Sequence, residues 1–74
     1  MSHIVAIGEQ ERLRGFTLVG VEVAEAEDAA GARAAWEALP PAVGLVILTP
    51  AAHAALATGE LDRPGRRLWV VMPG

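Results

Sequence analysis

No cysteine, lysine, tyrosine or asparagine occurs in this chain, and its only serine is Ser2. Each absence removes a class of chemistry. Without cysteine there is no disulfide and no thiolate nucleophile. Without lysine there is no Gly-rich phosphate loop closed by an ammonium group, and Gly8, Gly15 and Gly20 lack the Gly-x-Gly-x-x-Gly spacing of a dinucleotide turn. A lone serine near the start of the chain is badly placed for a Ser/His/Asp arrangement. The two histidines, His3 and His53, are too few for a structural zinc site. The basic residues are all arginine, the formal net charge is −3, and the only aromatics are Phe16, Trp36 and Trp69. No basic and aromatic groove can be assembled from these, which argues against nucleic-acid binding. The start of the chain has no charged segment leading into a long apolar one, so no signal peptide is expected. The longest apolar stretch, Ala42 to Leu48, is far too short to span a bilayer.

What is present reads as one small α/β domain over residues 1–74. Ile4-Val5-Ala6-Ile7 is a short apolar run ending at Gly8, the pattern of a strand buried on both faces. Glu9 to Val19 follows as a helix with an acidic start, and Gly20 sits where a C-terminal glycine belongs. Val21 to Glu25 alternates apolar and acidic residues, as an edge strand does. Asp28 is a good N-cap for a helix over Ala29 to Leu39, which Pro40-Pro41 stops. Gly44 to Leu48 is a second central strand. Thr49-Pro50 opens a short helix over Ala51 to Ala57, Thr58 to Gly65 reads as a polar loop, and Leu68 to Met72 is the last strand.

Strands alternating with helices predict an open parallel four-stranded sheet with helices on both faces. Placing the apolar strands inside and the alternating one at the edge gives the order 2-1-3-4, the flavodoxin- or receiver-like arrangement. Right-handed crossovers then put the first helix on one face and the next two on the other. The last strand is apolar on both parities, with Leu68, Val70 and Met72 one way and Trp69 and Val71 the other. One set has no helix of its own to cover it. A contiguous apolar patch of that kind marks an interaction site, and the expected contact residues are Trp69 and Val71, framed by Arg66 and Arg67.

Ligands of such folds sit beyond the carboxyl ends of the strands. Gly8-Glu9, Glu27-Asp28, Thr49 and Pro73 fall there. The three carboxylates could gather round Mg²⁺, but helix starts account for Glu9 and Asp28 more simply, with Glu27 solvated. A phosphoacceptor would need Asp where Thr49 stands, which argues against phosphotransfer. No catalytic, metal or cofactor residue is therefore expected, and an enzyme is the least favoured class. His53 reads as a boundary residue, and Trp36, at helical spacing with Leu39, as core. Gly15 interrupts the first helix at about 1 kcal/mol relative to Ala. Two readings of it stay open: close packing against backbone, or a notch for a partner helix.

Ile4-Val5-Ala6-Ile7-Gly8-Glu9, followed by Gly15-Phe16-Thr17-Leu18-Val19-Gly20-Val21, resembles the F subunit of the V/A-type rotary ATPases. Val43 to Thr49 is similar to that family's third strand, and Trp69-Val70-Val71-Met72-Pro73 to its closing strand. The resemblance runs in order through almost the whole chain. Glu9 and Val19 stand where the family commonly has Asp and Ala, and its C-terminal helical segment has no counterpart in these residues. The resemblance implies a non-catalytic central-stalk protein, cytoplasmic and peripheral to the membrane. Its partner would be the coiled-coil D subunit of the central stalk, and it would help couple ATP turnover to proton or other ion transport. Gly15 and Phe16 carry the family pattern and join the candidate partner contacts. Self-association of the isolated domain is a further expectation from the uncovered strand. The alternative is a free-standing receiver-like regulator that binds a small ligand or metal at the acidic edge.

Overall fold

The computed structural model describes residues 3–15, 20–57, 59, 61 and 68–73. Phe16, Arg66 and Arg67 lie outside the described residues. Four strands form one parallel sheet: β1 His3–Gly8, β2 Glu22–Glu25, β3 Val43–Leu48 and β4 Leu68–Val71. Their order is β2-β1-β3-β4, as the strand patterns predict. Among the described residues three helices lie between them: α1 Gln10–Leu13, α2 Ala29–Glu37 and α3 Pro50–Leu56. Among the described residues no helix is long and apolar enough to cross a membrane.

Register assigns each strand residue to a face. Val5, Val46 and Trp69 are aligned across the sheet, as are Ile7, Leu48 and Val71. This parity meets α2 and α3, and with Ala32, Trp36, Ala52 and Leu56 it forms the main core. Trp36 is buried there, as its spacing predicts. Burying one such side chain contributes about 1.5–3 kcal/mol, a large share of what a domain this small can have. From the stretch expected to be a polar loop, Leu61 is buried in the same cluster.

The opposite parity carries Ile4, Ala6, Leu45, Ile47, Leu68 and Val70. Here α1 lies over β1 and β2 and buries Leu13. That placement is the one right-handed crossovers require.

Of the expected helix, the described residues are α-helical over Gln10–Leu13. The α-helix ends at Leu13, and Arg14-Gly15 continue as a tighter 3₁₀ turn. Gly15 supplies the reason, since glycine weakens a helix at its own position; residues 16–19 of the expected helix are outside the described set. Gly20 has φ 83°, the left-handed conformation that glycine reaches without a Cβ penalty, and turns the chain into β2. Gly15 itself is exposed, and among the described residues no atom beyond its own helix and chain neighbours lies within 4 Å of where its Cβ would stand. The close-packing reading is therefore corrected: among the described residues no other element's backbone lies against the Cβ position of this glycine. Gly15→Ala should leave the fold intact and raise stability by up to about 1 kcal/mol. Thermal melting checks this, and a lowered midpoint would contradict it.

Candidate functional site

The carboxyl edge of the sheet is organised by Thr49. It follows β3 directly, is fully buried, and has extended backbone at φ −70° and ψ 160°. Its side-chain oxygen accepts a hydrogen bond from the Ala52 backbone N–H at 3.2 Å, which caps α3. Pro50 at the first helical position needs no donor partner. The same hydroxyl donates to Glu9 Oε1 at 2.5 Å. Thr49 also donates its backbone N–H to the Ile7 carbonyl at 3.1 Å, continuing the β1–β3 ladder. Each of these polar groups is thus satisfied, as a buried position demands.

Gly8 makes room for this. A Cβ there would stand 2.8 Å from Thr49 Cβ, closer than packed carbons tolerate. From sequence, Gly8 reads only as a strand end. Its pairing with Thr49 becomes readable once β1 and β3 are known to be neighbours.

The acidic residues divide their work differently from the expectation. Glu9 occupies the N-cap position of α1, but its side chain makes no cap bond to α1 and turns to Thr49. Glu27, expected to be solvated, does the capping: its Oε2 accepts from the Gln10 backbone N–H at 3.0 Å, across from the β2–α2 connection. Asp28 caps α2 as predicted, its Oδ1 accepting from Gly31 N–H at 2.7 Å. The Ala26 N–H to Gly8 carbonyl bond, 2.8 Å, closes the seam between β1 and the start of this connection.

These carboxylates rim a cleft of about 410 Å³ between α2 and α3. Arg33 and small alanines, among them Ala32, Ala51 and Ala55, complete its walls. Among the described residues no three His, Cys, Asp or Glu side chains are grouped to hold a metal ion. The Thr49 hydroxyl bond holds the Glu9 carboxyl below its ordinary value of 4.5. The residue's own backbone N–H acts the same way, burial opposes, and Arg12 adds a smaller attraction. Each carboxylate of this edge is thus already bonded to a hydroxyl or a helix start.

The expected β4 contacts, Trp69 and Val71, share the core-side parity of the sheet rather than the uncovered one, which corrects that expectation. Trp69 is half-buried on the core side, its ring tilted against His53 with centroids 5.2 Å apart. His53 is half-buried beside it, as a boundary residue. Val71 shares that parity and is 38% exposed. The uncovered face is the other one, where Leu68 and Val70 are 74% and 49% exposed and Ile4 is 39% exposed. Leu45 and Ile47 lie between them, half-buried. Sequence parity alone leaves the two faces equivalent, and the placement of α3 separates them.

No protein-family model and no curated protein matches this chain.

Two outcomes follow from the Thr49 junction. Gly8→Ala should destabilise by about 1–3 kcal/mol through overpacking, which is a fall of several degrees in melting temperature for a domain of this size. A midpoint equal to wild type would refute the tight contact. Because the folded state lowers the Glu9 value, its contribution is complete above the ordinary glutamate range. It disappears as pH falls through the lowered one. Glu9→Gln should flatten that acid limb of the stability–pH curve, measured by urea unfolding. An unchanged slope would assign the acid sensitivity elsewhere.

Proposed function

We propose that this chain is a non-catalytic interaction module, the central-stalk F subunit of a V/A-type rotary ATPase. On this reading it binds the coiled-coil D subunit of the stalk, resides at the cytoplasmic side of the membrane within the complex, and helps couple ATP turnover to ion transport. The observation that carries the proposal is the uncovered apolar face of Ile4, Leu45, Ile47, Leu68 and Val70. An exposed apolar patch on a small domain is the signature of a docking surface, and the apolar flank of a coiled coil is a fitting partner for it.

Two further points support the reading. The residues from Gly15 to Val21 and from Trp69 to Pro73 follow the family pattern. The carboxyl edge, where this architecture usually binds its ligand, has Glu9, Glu27, Asp28 and Thr49 engaged in structural bonds. The rival, a receiver-like regulator, draws on the cleft between α2 and α3.

The test is titration of purified chain with the coiled coil of the stalk's D subunit. Val70→Glu should remain folded and lose more than tenfold in affinity, about 1.4 kcal/mol. Trp69→Glu, which buries a charge against the core side, should unfold the domain. Full affinity in a folded Val70→Glu variant would remove this face from the interface. ATP with Mg²⁺ should give no saturable heat. A saturable Mg²⁺ response at Glu9, Glu27 and Asp28 would favour the regulator instead.

A further inference from the structure

The two edges of the sheet are guarded differently. β2 presents Glu22 and Glu25 to solvent, and charged side chains are a common protection against strand-to-strand association. β4, at the opposite edge, reads Leu68-Trp69-Val70-Val71, with no charge and no proline. The side on which its backbone is unpaired can be worked out. The Met72 N–H donates to the Leu48 carbonyl at 2.8 Å, so Met72 points toward β3. Backbone groups alternate along a strand, so Val70 also points inward, while Trp69 and Val71 turn their N–H and C=O groups outward. Among the described residues no strand lies beyond them.

We propose that β4 pairs with β4 of a second copy of this chain, antiparallel and centred on Val70. The centre follows from the geometry. A twofold axis normal to the sheet keeps each face with its equivalent only if it passes through a residue position. Centring on Val70 sets Trp69 opposite the copy's Val71, and Val71 opposite the copy's Trp69. Both are pairs in which N–H and C=O are exchanged in each direction, so every outward group of these two residues is satisfied. Val70 then meets its own equivalent at the closely spaced, non-hydrogen-bonded position. Two four-stranded sheets become one continuous sheet.

A second copy fits this edge better than the chain's other exposed strand does. Self-pairing of β4 brings no like charges together, whereas pairing β2 with β2 would set glutamates near glutamates. An isologous contact must be self-complementary, and an uncharged apolar strand is. The pairing places Leu68 and Val70 of both copies on one side, so the two uncovered faces become a single larger apolar surface. The dimer does not depend on the stalk reading, because it uses the edge of β4 and leaves that face open.

Sedimentation across micromolar to millimolar concentration should show a monomer–dimer equilibrium. Val71→Pro removes one outward N–H and no bond of the β3–β4 ladder, a placement proline accepts at an edge. It should give a folded monomer, while still binding the coiled coil if the face is the docking site. Val70→Lys, which sets two ammonium groups opposite each other across the axis, should do the same for self-association. The absence of cysteine allows a test of register. Val70→Cys should crosslink to a dimer under mild oxidation, because opposed residues at the non-hydrogen-bonded position lie within disulfide reach. Leu68→Cys, whose opposite number is Met72, should crosslink much more slowly. A wild-type chain that stays monomeric throughout, dimers that persist in folded Val71→Pro, or equal crosslinking of the two cysteine variants would overturn the pairing.

Discussion

A buried hydroxyl must find partners, and Thr49 finds them in a way that fixes three elements at once. The residue ends β3, starts α3 and reaches Glu9, which precedes α1. Leaving such a hydroxyl unsatisfied would cost on the order of 1–3 kcal/mol, a serious fraction of the stability available to 74 residues. The solution needs Gly8, because any side chain there would occupy the space of Thr49. It also favours the ionised form of Glu9, because a charged acceptor makes the stronger bond to the donated O–H.

One consequence reaches across the sheet edge. With Glu9 turned inward to Thr49, the first turn of α1 lacks its own cap. Glu27 fills that role from the β2–α2 connection, and Asp28 beside it caps α2. Neighbouring carboxylates therefore hold the starts of two helices that belong to opposite faces of the sheet. The positive ends of helices favour such partners, and like charges are kept apart by aiming each at a different donor. The edge that often serves ligand chemistry in this architecture is here the hinge pin of the fold.

Much of this was legible in the sequence because hydrophobic parity carries topological information. Two strands apolar on both faces and one alternating strand suffice to order the sheet, and right-handed crossovers then assign the helices. Asp28 and Thr49-Pro50 could be read as helix starts from local chemistry alone. What stayed hidden depends on pairs distant in sequence. The contact of Gly8 with Thr49 spans 41 positions, and that of Glu27 with Gln10 spans 17. No local rule separates a glutamate that caps its own helix from one that caps another. Leu61 was hidden for a different reason: a single leucine among polar residues has no periodicity, so its burial follows only from the tertiary cluster it joins. The choice between Trp69 and Val70 as the exposed side of β4 likewise needed the position of α3, since both parities of that strand are apolar.

The asymmetry of the sheet follows from the same economy of parts. Two helices over the α2–α3 side bury Val5, Ile7, Val46, Leu48 and much of Trp69. On the other side Leu13 covers the β1–β2 half, and the β3–β4 half stays open. A surface of that kind costs free energy in water at about 25 cal/mol per Å² of apolar area, and it was not replaced by polar residues at Leu68 or Val70. The β2 edge, by contrast, carries the exposed glutamates Glu22 and Glu25. One edge strand thus carries charge within it and the other does not. Charged edges guard against strand-to-strand association, so the uncharged edge is where the proposed pairing is placed.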